Sequence, residues 1–431
     1  MQDSSAVLSS AFVAGSAQFG FDVERLLAPE QAVIAFFARA AIGPVGVERV
    51  PLEEAAGRVL AEAAVAREDH PSHPRSMMDG FAIETASGAA ARRIAGEVLM
   101  GHPPPRALGA GEAMRVPTGG AVPAGADAVV PQEDVDLVGD TIVLREAVVA
   151  GEFVSQPAED VRAGETVLPA GRRLGGPELG VLATLGITDV PVFRRPRIAI
   201  ISTGDELVDA TSAPGVGQVR DSNRYAIAGS LAAFGAVPVH FPRAVDTQDA
   251  LRTVLRAALD ACDAVITTGG SSVGARDLIP LAVAELGAPG AIVHGLRVKP
   301  GKPTLLAAAG HKPVIGLPGN PTSSLMILEA IVRPIVAALT GERAARPAVV
   351  QAVARAPFAG RAGWTWFVPT VLRARGGRLE AEPLRIRSAQ TSLLARASGY
   401  ATIGEDPSSV AAGDLVNVTL FSAGGAPVEV L

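Results

Sequence analysis

Cysteine is almost absent from this 431-residue chain; Cys262 is the only one. A single thiol cannot close an intrachain disulfide, and it cannot build a cysteine-based metal cluster. At a predicted helix end, between Ala261 and Asp263, Cys262 reads as a small buried apolar residue rather than a nucleophile. Positive charge is not in excess either: 38 Lys and Arg against 44 Asp and Glu leave a net charge of −6. That balance excludes the broad basic face needed to offset nucleic-acid phosphates, while leaving room for a local basic pocket. No apolar run approaches the ~20 residues that cross a bilayer, so no membrane partner is expected. The opening MQDSSAVLSSAFVAGSA is apolar, but the first basic residue is Arg25, so it lacks the basic start of a signal peptide. It reads as a loose tail, and the protein as cytoplasmic. The GxxxxGKS and GxGxxG nucleotide fingerprints are missing as well.

What the chain does have is length and turn chemistry. With 48% hydrophobic and 19% charged residues, it is too long for one core and predicts three or four domains of ~100–200 residues. Its 47 glycines and 33 prolines are spread out, which indicates many tight turns. Residues 21–67 read as helical: Val33, Ile34, Phe36 and Phe37 recur at helical spacing, and Pro51 opens LEEAAGRVLAEAA with Leu52, Ala55, Val59 and Leu60 on one face. From Glu68 to Val149 short strand-like runs alternate with turns, including a hairpin signal at Gly139-Asp140. Asp69, His70 and His73 lie in a proline-broken loop with no helical spacing, which argues against a metal site. A second helix follows, with Pro177 at its start and Gly186 at its stop, so the flanks of the β-rich stretch are expected to pair as one domain.

From Arg197 to Leu339 strands alternate with amphipathic helices, which specifies a mostly parallel sheet covered on both faces. Ligands of such sheets bind beyond the carboxyl ends of the strands. Three loops leave such ends: TGDEL from Thr203, TTGGSSVGARD from Thr267, and GLPGNP from Gly316. Gly269, Gly270 and Gly274 allow close backbone approach, and Ser271 and Ser272 add hydroxyls. Asp205, Glu206, Asp246 and Asp277 gather acids at the same rim. For Asp221, Asp246 or Asp277 taken singly, helix capping is the favoured explanation; several converging carboxylates instead call for a cation such as Mg²⁺ or a donor-rich ligand. KPGKP presents Lys299 and Lys302 on a proline-stiffened loop suited to a compact oxyanion. Asn320 with Pro321 reads as a helix start that aims N–H groups and Ser323 at an anion. The chain after Gly341 is turn-broken and strand-rich, a small β-domain.

SMMDGFA, RVPTGGAVPAGADAVVPQED, AEDVRAGE, STGDEL, VRDSNRY, TTGGSSVGARD, VKPGKP and GLPGNPTSS occur in that order. Together they resemble the molybdopterin molybdenumtransferase family, the MoeA and gephyrin E-domain group, over nearly the whole chain from about residue 24. The resemblance implies a multidomain α/β plus β fold. A discontinuous helical, dimer-forming domain would comprise 21–67 with 150–196, and an inserted β-domain 68–149. A three-layer α/β molybdopterin-binding domain would span 197–341 and a C-terminal β-domain 342–431. It implies a cytoplasmic homodimer with shared active sites that inserts molybdenum from molybdate into adenylylated molybdopterin, releasing AMP with Mg²⁺. Recipient molybdoenzymes or their chaperones would be further partners. Carried over by motif, Asp79, Thr118, Asp160, Glu206, Asp246 and Asp277 would be catalytic, with Asp79 and Thr118 supplied by the second subunit. Glu206, Asp246 and Asp277 would hold the metal. Thr203, Gly204, Asp205, Gly269, Gly270, Ser271, Ser272, Gly274 and Asn320 would bind the pterin. Lys299, Lys302, Pro303, Ser323 and Ser388 would hold molybdate.

The chain departs from the family pattern in places. Ser72-His73-Pro74-Arg75 replaces the usual lead-in to the MDG loop, and Met77 stands where alanine is usual. In the C-terminal region GWTWFVP replaces a segment resembling GRTEFLR, so Trp364 and Pro369 stand in place of arginines. The altered C-terminal region leaves a second reading beside active insertion, a catalytically weakened carrier of molybdopterin or its cofactor; a third is a related pterin adenylyltransferase or a nucleotide-processing enzyme sharing the α/β domain.

Overall fold

The computed structural model describes residues 26–244, 247–269, 278–343, 347–385, 390–422 and 429–430. The chain forms two compact units, one of residues 49–56 and 60–191, the other of residues up to 48, 57–59 and 192–431.

In the first unit, strands β1 (Gly80–Ile83), β2 (Ala91–Glu97), β3 (Glu112–Val116), β4 (Ala128–Pro131), β5 (Val135–Val138) and β6 (Thr141–Leu144) make one six-stranded sheet. Its order is β4-β1-β3-β2-β6-β5. β5 and β6 form the expected hairpin, with Gly139 at φ 62° in its turn. The two sides of the sheet bury separate apolar sets, Phe81, Ile83 and Ile142 on one, Ala82, Met114 and Val129 on the other, as period-two alternation requires. The flanks pair with each other. Leu60 donates to the Arg172 carbonyl, Ala66 to Glu165, and Leu52 to Thr188. A helix α2 (Gly176–Thr184) starts with Pro177 in its first turn, and Gly186, just past its end, takes φ 67°.

One predicted helix is not there. LEEAAGRVLAEAA forms only a 3-10 turn at Leu52–Glu54 and then runs irregularly. Ala55, Val59 and Leu60 are buried as their spacing foretold, but Gly57 turns the chain at φ 70°. The N–H groups of Leu52, Leu60 and Ala61 go to distant carbonyls of Thr188, Arg172 and Pro191. Long-range backbone pairing outcompeted a local propensity worth only a few tenths of a kcal/mol per residue.

In the second unit, helix α1 (Pro29–Arg39) buries Ala32 and Phe36. These side chains join the core of the α/β sheet, where α1 packs. The sheet consists of β7 (Arg197–Ser202), β8 (Val237–His240), β9 (Ala264–Thr268), β10 (Pro289–His294), β11 (Leu305–Ala309) and β12 (Lys312–Leu317). Its order is β8-β7-β9-β12-β11-β10. The first four are parallel, while β11 runs antiparallel to both neighbours. Along β7, Ile198 and Ile200 face one core and Ala199 and Ile201 the other. The first core is completed by α3 (Asn223–Ala233), the second by α4 (Gln248–Ala261) and α5 (Ile279–Leu286). A strand buried on both faces explains the unbroken apolar run IAII after Arg197.

A helix at Pro321–Ile327 (α6) continues through a π-helical turn at Leu328–Val332 into α7 (Arg333–Thr340). Pro321–Thr340 is thus one helical run of 20 residues, long and apolar enough to cross a bilayer, where none was expected from the sequence. Of its apolar 18-residue window, 72% is buried, packed against the α/β sheet. Beyond it, β13 (Val349–Ala354), β14 (Thr365–Arg375), β15 (Arg378–Pro383), β16 (Gly399–Ile403) and β17 (Leu415–Leu420) form the C-terminal sheet. β16 pairs with both β17 and β14, which closes the sheet into a barrel.

Candidate functional site

The described beginnings of the three loops, at Thr203, Gly269 and Gly319, converge. After β7, Thr203 donates its N–H (2.9 Å) and its hydroxyl (3.2 Å) to the Thr268 carbonyl at the end of β9. Gly269 takes φ 84°, and its N–H reaches the Leu317 carbonyl at the end of β12. A Cβ at Gly269 would run into the Thr203 backbone, and one at Gly319 would lie 3.4 Å from Gly269 Cα. Glycine is needed here because three chain segments meet without room for a side chain. Asn223 Nδ2 donates to the Gly319 carbonyl at 2.8 Å and ties α3 to the same rim.

Acidic and polar groups surround this junction. Gly204, at φ 137°, leaves space for the Glu206 carboxylate, whose oxygens would lie 2.6 and 2.7 Å from a Cβ there. Asp205 and Glu206 are exposed, and no described residue forms a hydrogen bond or ion pair with the Glu206 carboxylate. Buried atoms without partners cluster at the strand ends and helix starts: Ser202 Oγ, Asp221 Oδ2, Asn223 Oδ1, Asn320 Oδ1 and Thr322 Oγ1. Similar unpartnered atoms occur elsewhere, at Arg58, Arg75, Arg92 and Trp366, but buried polar atoms are seldom left unpaired and a polar ligand at this rim would satisfy the five named. Ser202, Asn223 and Thr322 were not singled out as site residues from the sequence. Their signal was position alone, polar side chains at the ends of elements that border the rim.

Capping differs in detail from expectation. Asp221 does cap α3, accepting from the Arg224 N–H at 3.2 Å. Helix α4 is capped by Thr247, whose hydroxyl accepts from Ala250 N–H. Asn320 stands at the N-cap of α6 with Pro321 first, yet its side chain makes no cap hydrogen bond. Asp246, Gly270, Ser271, Ser272, Gly274, Asp277 and Ser388 lie outside the described residues.

The VKPGKP loop sits against α6. A Cβ at Gly301, φ 112°, would run into the Ile327 side chain. Lys302 anchors the loop through its carbonyl, which accepts from the N–H groups of Leu296 (2.8 Å) and Thr304 (3.0 Å), with half-buried Pro303 between them. The Lys299 and Lys302 loop is thereby held beside the helix that carries Ser323, which is buried. Pro369, in place of an arginine, is buried within β14. Trp364 has an arginine of its own, with the Arg361 guanidinium 5.8 Å from its ring centre.

The first unit brings Asp79 and Thr118 together. Asp79 Oδ1 accepts from the Thr118 N–H at 2.7 Å and from its hydroxyl at 3.0 Å. These bonds hold the exposed Asp79 carboxyl below the usual aspartate range, the backbone N–H contributing most. A cleft of about 740 Å³ opens beside the turn after Thr118, lined among others by Arg75, Met100, His102, Arg106, Gly119 and Gly120. Asp160 is exposed in a separate turn, its N–H donating to the His70 carbonyl, and no hydrogen bond links it to Asp79 or Thr118.

Three family models cover this arrangement in order. The N-terminal region of MoeA (domains I and II) matches residues 27–186, a probable molybdopterin-binding domain residues 199–338, and the C-terminal region of MoeA (domain IV) residues 351–421. Fold and rim thus define a member of the MoeA family of molybdenum cofactor biosynthesis proteins, and the chain belongs to it. It is 35% identical to a molybdopterin molybdenumtransferase of a Nostoc species over 68% of this chain and 70% of that one. Against the enzyme of the same name from Bacillus subtilis the identity is 30% over 87% and 90% of the two chains. A MoeA crystal structure from Pyrococcus horikoshii superposes with TM-score 0.75 at 30% identity, covering 92% of this chain and 99% of that one.

Proposed function

We propose that this protein is a molybdopterin molybdenumtransferase that inserts molybdenum from molybdate into adenylylated molybdopterin and releases AMP. The observation that carries this reading is the meeting of Thr203, Gly269 and Gly319 at one strand rim, with unpartnered buried polar atoms about it. Backbone packed this tightly brings N–H groups and small polar side chains up to a flat, donor-rich pterin and its phosphate. The rim acids Asp205 and Glu206 would accept from pterin N–H groups, and Asn320 would add a carboxamide. Lys299, Lys302, Pro303 and Ser323, with Ser388, would hold molybdate, a compact dianion that suits fixed ammonium groups. The uncommitted Glu206 carboxylate fits a Mg²⁺ ligand, with Asp246 and Asp277 as the other two. Bound there, Mg²⁺ would polarise the adenylate phosphate.

In the reading proposed here the protein works in the cytoplasm as a homodimer with shared sites, in which a second copy supplies Asp79 and Thr118, and Asp160 serves the same reaction. Hydrogen bonds that hold Asp79 ionised keep a fixed negative group ready to orient N–H donors or metal-bound water. Purified protein given adenylylated molybdopterin, molybdate and Mg²⁺ should release AMP and form cofactor; no AMP release would overturn the proposal. Mixed dimers of Asp79→Ala and Glu206→Ala subunits should recover part of the activity, and exchanged dimers without recovery would exclude a shared site.

Burial of Pro369 at an expected arginine position favours one second reading, a carrier that binds molybdopterin without turnover. Tight pterin binding with no AMP release would distinguish it.

A further inference from the structure

We propose that Trp366 is a positioning residue for Lys299, holding its ammonium over the indole face so that the whole charge stays available to an oxyanion. The inference rests on the reading of Lys299 as a molybdate-binding side chain. The backbone makes the pair. The two-residue strand Val298–Lys299 runs parallel to β14 in a register that sets Val298 against Thr365 and Lys299 against Trp366. Lys299 Nζ then lies 4.9 Å from the ring centre, inside the ~6 Å range in which an aromatic quadrupole attracts a cation.

The ring is fixed independently of the lysine. Trp366 packs on the C-terminal barrel core formed by Phe358, Ile403 and their neighbours. Its indole N–H is buried with no acceptor, so packing orients the ring rather than a hydrogen bond. Gly360 provides the space, since a Cβ there would stand 3.3 Å from Trp366 Cδ1.

An aromatic face differs from a carboxylate in what it leaves behind. A carboxylate partner would neutralise the ammonium and compete with an incoming oxyanion. The π face carries no net charge, so it restricts the long lysine side chain without cancelling its charge. No carboxylate among the described residues forms an ion pair with Lys299. The entropy cost of ordering the lysine is then met before the anion arrives.

The test uses the whole protein in the AMP-release assay with molybdate varied. Trp366→Leu should raise the KM for molybdate about 2- to 5-fold with kcat little changed, the range of an exposed cation–π pair. Trp366→Phe keeps a ring and should stay within about twofold of the parent. A second readout does not depend on the Leu variant folding. Trp364→Phe leaves Trp366 as the sole tryptophan, and molybdate alone should change its emission saturably, an effect that Lys299→Ala abolishes. A folded Trp366→Leu protein with parental KM, or emission indifferent to molybdate, overturns the inference. If Lys299→Ala leaves the molybdate KM unchanged, the assignment of Lys299 fails and the inference with it. If Lys299→Ala raises that KM while Trp366→Leu does not, only the role of Trp366 fails.

Discussion

Thr118 donates twice to one oxygen of Asp79, through its N–H and its hydroxyl. The two residues are 39 apart in sequence, and strand pairing joins them: Gly80 opposes Val116 in the antiparallel β1–β3 ladder, so the segment entering β1 and the segment leaving β3 lie together. Gly80 itself is required, since a Cβ there would run into the Val130 carbonyl on β4.

This pair makes the first prediction. A carboxyl held below its ordinary pKa contributes stability that is present above that ordinary value and lost as pH falls through the lowered one. Carbon-detected NMR titration should find Asp79 ionising below typical aspartates. Thr118→Val should bring it back up, although the backbone donor, the larger cause, remains. An unshifted Asp79 in the parent protein would contradict the hydrogen-bond geometry.

Gly269→Ala should damage both fold and activity. The φ of 84° costs a non-glycine residue roughly 1–2 kcal/mol, and the new methyl would also meet the Thr203 backbone. Thermal unfolding should show a loss of at least about 1 kcal/mol together with lost turnover. A variant as stable and active as the parent would disprove the tight junction.

Glu206→Gln should behave in the opposite way. Its side chain is exposed and engages no described partner, so unfolding should change by no more than about 0.5 kcal/mol. AMP release should fall on the order of 100-fold, comparable with losing one charged group at a developing charge. Retained activity would remove Glu206 from the site.

Glu329 offers a pH-dependent test away from the rim. It is buried in the π-helical turn, accepts from the Ser422 hydroxyl at 3.0 Å, and burial raises its pKa despite nearby Arg333. A raised folded-state pKa contributes stability at low pH that is lost as pH rises through the raised value. Glu329→Gln should therefore flatten the stability profile between the ordinary glutamate range and the raised value, and raise the melting temperature near neutral pH. A melting temperature that falls at every pH would argue instead for an ionised, stabilising Glu329.

Phe36→Ala tests the placement of α1. Phe36 is fully buried in the α/β core, so the substitution should cost about 3–5 kcal/mol, read from denaturant unfolding. A cost below about 1 kcal/mol would detach the helix from that core.

Much of the rim was legible because it depends on local order. An apolar run followed by TGDEL or TTGG is a strand and a turn whatever surrounds it, and Thr203 and Gly269 lie where that pattern puts them. The lysines of KPGKP were found by the same logic. Trp366 was not, because its partner Lys299 is 67 positions away and only the register of β14 brings the ring beneath the ammonium.

The sequence by itself determined the strand–turn–helix units, the two-sided apolar strands and the ordered motifs that mark the MoeA family, since these follow from patterns a few residues long. Tertiary structure decided what depends on distant partners. It turned the helical-looking LEEAAGRVLAEAA into irregular chain, because carbonyls of Arg172, Thr188 and Pro191 took its N–H groups. It moved α1 onto the α/β core through Phe36, and buried an apolar 20-residue helical run inside the protein. Local propensities of a few tenths of a kcal/mol per residue yield to burial and long-range hydrogen bonding wherever the two disagree.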